Sequence, residues 1–413
     1  MVVEKVDEYL KNWRDKGDQL MLLLILFCLI FAIKMVPILL ILSFLFSIIL
    51  GVKLPRWKEF SPIIMLSVLF LSMYFLNLLG LAWTNNMSVG MEQLEYKLSF
   101  LLVPAVFLVY RSTLNRSHWM TAFIYGLAVT ALWMLVYAAY RSISDEHDNR
   151  WGYFEESLLC IFMHRSYTAA YFVIGVALSM VGWLKENKSF WWIFTLLFSM
   201  VIILSGSKAG VMSFVIVILW SLMSYTIQTR ALNGKRVFSI LIASTALLFL
   251  VFKSNVNRRF GIIKTAISEI QWDNNPSTES TTARLLMWNA SYEVWKMHPF
   301  FGVGTGDVND ELEEWNQDRA NRGVAESRLN AHNQFLNYSV QFGIVGVLVL
   351  TMVFLLLFYW AIQFNDQVLA MLSVVFFINF FFESFLETRA GILPFTVLLL
   401  SYLLVIKGRR GEV

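Results

Sequence analysis

Four residues with proton or charge chemistry stand at the start of apolar runs: Lys97, Arg165, Lys208 and His332. A fifth, Arg284, lies in the longest polar stretch between such runs. His332 closes the segment Asn330-Ala331-His332-Asn333, directly before about 30 largely apolar residues. That position predicts an imidazole at the mouth of a helix, where the macrodipole disfavours the charged form. A neutral imidazole can take a proton from a hydroxyl; the plainer reading is a histidine that only shapes the helix start. Lys208 interrupts Leu204-Ser205-Gly206-Ser207-Lys208-Ala209-Gly210 between two apolar runs. It reads either as a lysine reaching to the membrane interface or as a cation awaiting an anion, because charge at membrane depth is expensive. His164, next to Arg165, adds a further basic group. Gathered on one face, these side chains would receive a ligand with a strongly negative head. A polyprenyl pyrophosphate fits that description: its tail stays in lipid while the head meets the cations.

Other charged residues have plainer partners within reach. Lys97 is close in sequence to Glu92 and Glu95 and is either an anion contact or an ion-pair member. Glu383 and Glu387, spaced i, i+4, are expected on one helix face, with Arg389 pairing one of them. The run Pro299-Phe300-Phe301-Gly302-Val303-Gly304-Thr305-Gly306 alternates glycines. Gly302 and Gly304 allow either close approach to a ligand or a tight irregular turn. The run is no dinucleotide fingerprint, since it follows a helical pattern and has the wrong spacing. No HxxxH, CxxC or DxD offers a metal site, so no metal or cofactor is expected. Arg and Lys can instead stabilise a departing pyrophosphate.

These groups must be positioned by membrane helices. The chain has 413 residues, 58% hydrophobic and 15% charged, with a mean hydropathy of +0.61. Soluble domains carry about 25% charged residues. About twelve apolar runs read as spans: 20–33, 36–51, 61–83, 97–110, 118–140, 165–184, 189–206, 209–226, 237–253, 332–361, 366–385 and 390–406. The first pair is separated only by Lys34 to Pro37. The first run reads as a retained helix rather than a cleaved signal, since no small-residue cleavage site follows it. Cys28 and Cys160 are too few for a disulfide framework.

Alternate loops carry Lys53, Arg56 and Lys58; Arg111 and Arg116; Lys185 and Lys188; Arg230, Lys235 and Arg236; and Lys407, Arg409 and Arg410. The positive-inside rule puts all five clusters, and both termini, in the cytoplasm. The net charge of +4 gives no reason to expect nucleic acid. The absence of a visible repeat disfavours the common plan of secondary transporters. The expected fold is an all-α polytopic membrane protein. Its parts are an N-terminal bundle (1–253), a large extracytoplasmic loop containing helices (254–331) and C-terminal helices (332–413).

The 254–331 loop is long enough to be functional. It holds eleven acidic residues against eight Lys and Arg, consistent with an outer location. Within it Leu285, Trp288, Tyr292 and Trp295 make an apolar helical face, capped by Thr281 or Thr282 and ended near Pro299. That face suits either the membrane surface or packing on the protein itself.

Taken together, the motifs resemble the bacterial O-antigen ligase/polymerase superfamily. The resemblance rests on His332-Asn333 followed, after nine residues, by Gly343-Ile344-Val345-Gly346. It rests also on Arg284 with Trp288, on the Pro299 to Gly304 stretch, and on Ser207-Lys208-Ala209-Gly210. It implies a metal-independent, inverting glycosyltransferase at the periplasmic face of the bacterial inner membrane. Such an enzyme moves a glycan from undecaprenyl pyrophosphate to lipid A-core or another glycan acceptor. It implies His332 as base, with Arg284 and Lys208 on the pyrophosphate. Arg165, His164, Lys97, Asn333, Gly302, Gly304 and Glu387 are then substrate-binding candidates. Lys208 departs from the family's usual Arg: it keeps the charge but not the bidentate fork. Val347, after the second motif glycine, departs from the residues ligases often carry there. Beside ligase stand a polymerase of the same superfamily, a protein-directed oligosaccharyltransferase and, from a different class, a polysaccharide or lipid transporter. A transporter predicts charges along a path through the bundle, whereas these spans are nearly free of charge at mid-depth.

Overall fold

A computed structural model of the chain describes residues 2–49, 62–110, 114–144, 150–186, 190–229, 270–277 and 279–410. The expected span 237–253, residues 254–269 of the long loop, and most of the first four basic clusters lie outside the described residues. The described residues form helices and loops without a strand.

The chain opens with α1 (Val2–Cys28) and α2 (Val36–Ile49). Ser47 Oγ donates to Asp18 Oδ1 at 2.9 Å. The two residues are nearly equidistant from the 29–35 turn, so the helices fold back on each other. The break at Lys34 to Pro37 is therefore a reversal and not a kink in one long helix. Next come α3 (Pro62–Gly80), α4 (Met87–Tyr96), α5 (Ser99–Val109) and α6 (Arg116–Ser144). After them follow α7 (Glu156–Leu159), α8 (Arg165–Glu186), α9 (Trp191–Leu204) and α10 (Lys208–Thr229).

Among the described residues, five stretches are long and apolar enough to cross a membrane: Pro62–Trp83, Arg116–Ser144, Arg165–Leu184, Gln334–Gln363 and Arg389–Arg409. Four further apolar helices are shorter: Val36–Ile49, Trp191–Leu204, Lys208–Ser224 and Gln367–Phe380. The chain is a multi-pass membrane protein. In the most apolar 18 residues of Arg165–Leu184 and Arg389–Arg409, 89% are buried, against 39% for Pro62–Trp83 and Gln334–Gln363. The first two are thus central and the last two face lipid on one side. The centre is filled by phenylalanines, among them Phe354, Phe376, Phe380, Phe385 and Phe395, in edge and tilted contacts 4.9–6.4 Å apart. Within lipid the packing of such rings, rather than escape from water, holds helices together.

The remaining helices among the described residues are α11 (Ser280–Met297), α12 (Val308–Asp318), α13 (Arg322–Glu326), α14 (Gln334–Gln363), α15 (Gln367–Phe380) and α16 (Arg389–Arg410). Helices α11–α13 form a cap with its own small core, including Leu286, Met287, Val294, Leu312, Trp315 and Val324. In α11 the face packed inward runs through Ala283, Leu286, Met287, Ala290 and Val294. The neighbouring Leu285, Trp288, Tyr292 and Trp295 face is only partly covered. The helix is capped by Glu279, whose carboxylate accepts from the amides of Thr281 and Thr282, and not by either threonine as expected. It ends at Met297, two residues before Pro299.

A strap of residues 299–306 ties the cap to the bundle. Helix α14 is broken at Gly343, where φ is +61° and ψ −149°. The break releases the carbonyls of Val340 and Gln341, which accept from the amides of Val303 (2.9 Å) and Gly304 (3.1 Å). Ile344 N–H donates instead to Pro299 O at 2.9 Å. Three backbone groups at the break are thus paired again, as burial requires. Thr305 Oγ1 donates to Asn77 O, and Asp307 accepts from the amides of Asn85 and Asn86, each at 2.7 Å. Gly302 has φ +67°, and a Cβ there would lie 2.4 Å from Gln341 C. Gly302→Ala combines left-handed strain with a backbone clash. It is expected to cost roughly 2 kcal/mol or more, seen as a lower thermal midpoint in detergent; an unchanged midpoint would sink this reading of the strap.

Candidate active site

The starts of α8, α10, α11 and α14 and the turn carrying Glu383 meet at the cap end of the bundle. His332 stands just ahead of α14 with φ +46°. Histidine is among the residues that tolerate this left-handed region. Both neighbouring asparagines hold it there. Asn330 Oδ1 accepts from the His332 amide at 2.9 Å. Asn333 is the buried N-cap, its Oδ1 accepting from the amides of Phe335 (2.9 Å) and Leu336 (3.1 Å). Asn333 thus positions the histidine through the backbone.

His332 Nδ1 lies 2.9 Å from Glu383 Oε1. Burial works to raise Glu383, but the hydrogen bond and charge of His332, with Arg284 and His164, outweigh it and hold the carboxyl below its usual range. An ionised carboxylate only accepts, so Nδ1 is the donor of this contact, and in the neutral imidazole the lone pair then lies on Nε2. Glu383 Oε2 is 3.9 Å from both Arg284 and His164 and has no hydrogen-bond partner among the described residues.

The expected pairing of Glu383 with Glu387 on one helix face does not occur, because α15 ends at Phe380. The chain then turns, and a short 3-10 turn, Phe385–Glu387, carries Glu387 the other way. Glu387 binds the fully buried Lys97 at 2.8 Å and accepts from Gln334 Nε2 at 3.2 Å. Lys97 is therefore held inside the bundle and not at the surface with the other cations, and neither Glu92 nor Glu95 is the partner of its ammonium. Arg389 pairs with Glu95 at 2.6 Å instead of with Glu383 or Glu387.

Arg284, in the first turns of α11, donates to Ser280 Oγ at 2.8 Å. Its Nε–H is buried with no acceptor among the described residues. Burial draws the guanidinium below its usual value, and Glu383 opposes that. Lys208 Nζ donates to Thr281 Oγ1 at 2.6 Å and stands 3.8 Å from Glu279. Arg165 is bound by Glu156 at 2.7 Å. His164 is half exposed beside Glu383; burial holds it below its usual value, against the pull of Glu383. Lys208, Arg284, Arg165, His164 and His332 thus share one neighbourhood. Lys208 and Arg284 make their short contacts to hydroxyls, while their carboxylates sit near 3.9 Å. Gly302 and Gly304 lie instead against Gln341, Gly80 and Thr84, so their close approach is to the chain's own strap contacts. Among the described residues no group of His, Cys, Asp and Glu is arranged to hold a metal ion.

Residues 193–351 match the family model described as O-antigen ligase. The matched stretch holds Lys208, Arg284, His332 and the glycine that breaks α14. Over this stretch the chain is similar to the O-antigen ligase family. Members of this family are glycosyltransferase-like membrane enzymes that use lipid-linked glycans. No curated protein matches the chain. Glu383 lies beyond the matched stretch, and sequence spacing alone paired it with the wrong partners. The usable signal was a carboxylate at the end of an apolar run, where an unpaired charge is costly.

The Glu383–His332 contact makes a prediction. Glu383→Gln keeps the size but offers an amide in place of the anion, so the Nδ1–H tautomer and any imidazolium lose support. Glycan transfer is expected to fall roughly 10- to 100-fold, as for outer partners of functional histidines, with little change in donor KM. An equal rise in KM and unchanged kcat would mean that Glu383 only shapes the binding cleft.

Proposed function

We propose that this protein is an O-antigen ligase-type, inverting glycosyltransferase moving a glycan from undecaprenyl pyrophosphate to lipid A-core at the periplasmic face of a bacterial inner membrane. The reading is carried by one observation: His332, oriented by Glu383, shares a neighbourhood with Arg284 and Lys208 at the cap end of the bundle. His332 Nε2 takes the proton of an acceptor hydroxyl. The oxygen attacks the anomeric carbon of the donor from the face opposite the pyrophosphate, and the bond from that carbon to the phosphate oxygen breaks. Arg284 and Lys208 receive the departing charge. The free Nε–H of Arg284 is a ready donor for a phosphate oxygen. The proton leaves His332 for solvent or the released pyrophosphate, and no metal is needed in this scheme.

Arg165 and His164 extend the basic lining beside that headgroup. Lys97, Glu387, Asn333, Gly302 and Gly304 serve the site by holding its parts in place. The cap, from the 254–331 division, faces the periplasm, between an N-terminal bundle (1–253) and C-terminal helices (332–413), with both termini cytoplasmic. The donor reaches the crevice between cap and bundle from the side, its tail remaining in lipid.

Deleting the gene and running surface lipopolysaccharide on a gel tests the reading. Carrier-linked polymer without ligation supports ligase. Lipopolysaccharide bearing a single repeat would make the protein a polymerase of the same superfamily. An unchanged pattern would reject both.

A further inference from the structure

The strap carries two aromatic rings that the mechanism does not use. Phe300 and Phe301 are 67% and 66% exposed, although the residues on either side are locked to α14. Their height can be read from α14 itself. Below the Gly343 break, the outward residues Ile344, Leu348, Met352, Leu355, Tyr359 and Ile362 recur at steps of three and four and form one exposed apolar stripe. From Ile344 to Ile362 is about 27 Å at 1.5 Å per residue. That is close to the roughly 30 Å hydrocarbon thickness of a bilayer. The stripe therefore fills the lipid core, and Ile344 marks its upper edge. The Ile344 amide is bonded to Pro299 O at 2.9 Å, which puts Phe300 and Phe301 just above that edge. Trp83, at the end of the lipid-facing stretch Pro62–Trp83, meets Phe301 edge-on at 6.3 Å.

We propose that Phe300, Phe301 and Trp83 form an interfacial anchor seated in the headgroup–acyl boundary of the leaflet on the cap side. The occupant is lipid. The patch is continuous with the lipid-facing surfaces of α3 and α14, and aromatic rings favour that depth. The anchor has a consequence for the site. The strap joins the end of α11, which bears Arg284, to the carbonyls of α14 eight and nine residues beyond His332. Membrane depth is thereby transmitted to both. The inference needs only the membrane helices, so it stands or falls apart from the glycosyltransferase reading.

The test is a nitroxide at Phe301→Cys in the full chain, with Cys28→Ser and Cys160→Ala, in nanodiscs of phosphatidylcholine and phosphatidylglycerol. Phe300→Cys is a second site should the first variant fail to fold. Labels at Leu348→Cys and Gln317→Cys give the lipid and water references. Relaxation by oxygen should exceed relaxation by a water-soluble nickel chelate at the strap, with a depth between Ile344 and the headgroups. Chelate access equal to that at Gln317 would overturn the proposal. So would a label shielded from both reagents, the result expected if a second copy or another protein covers the patch.

Discussion

His332→Asn lowers glycan transfer by roughly 10²- to 10⁴-fold, the usual contribution of a positioned general base. Asparagine is the informative replacement. It accepts the left-handed backbone that His332 adopts at φ +46°, so the start of α14 and its Asn333 cap remain. What disappears is the basic nitrogen. The comparison is made on purified protein in liposomes with an undecaprenyl pyrophosphate-linked donor, alongside a thermal midpoint that should move little. Because the proposed base acts on the acceptor, kcat falls while donor KM is nearly unchanged. Full transfer by the variant would remove His332 from the chemistry.

The second large effect is on stability. Lys97→Met leaves the Glu387 carboxylate, 11% exposed, without its cation. Breaking a buried ion pair from one side costs roughly 3–5 kcal/mol, since an uncompensated charge stays inside. The methionine fills the volume but cannot supply the charge. Unfolding of a membrane protein in detergent is seldom reversible, so the quantity to follow is the inactivation half-life at fixed temperature. The double variant Lys97→Met with Glu387→Gln should regain most of the loss, because the two residues contact each other and their effects do not add. If the single variant were as long-lived as the parent, the pair would be incidental. Gln334 amplifies the effect: its Nε2 donates to Glu387 and its Oε1 accepts from the Leu386 amide at 2.6 Å, one residue into α14 and two from His332. Loosening Glu387 therefore reaches the proposed base as well.

The anchor adds a spatial reason for the domain order. A donor whose tail stays in lipid presents its pyrophosphate near the interface. Residues meant to meet it must be held at that height. In this chain the broken helix sets the height, and the strap passes it to the cap.

The amino-acid sequence alone determined the class of the molecule and much of its local structure. Hydropathy is carried by consecutive residues, so apolar runs announce helices without reference to anything distant. The runs corresponding to α3, α6, α8, α14 and α16 match helices able to cross a membrane. The spacing of His332-Asn333 and Gly343 was likewise visible, and it falls inside residues 193–351, the stretch similar to the O-antigen ligase family. The tertiary structure decided the partners. His332 and Glu383 are 51 residues apart, and nothing local says which carboxylate an imidazole will meet. The i, i+4 rule misled at Glu383 and Glu387 because it presumes an unbroken helix, and α15 stops at Phe380. The buried face of α11 was not legible either: the spacing pointed to Leu285, Trp288, Tyr292 and Trp295, whereas the helix buries the adjacent Ala283, Leu286, Met287, Ala290 and Val294. The glycines Gly302 and Gly304 could have cradled a ligand. Only the carbonyls released by the Gly343 break show why the strap needs them. Local hydropathy is a property of the chain, whereas the choice among partners for a charge or a carbonyl depends on which helix ends the fold brings together.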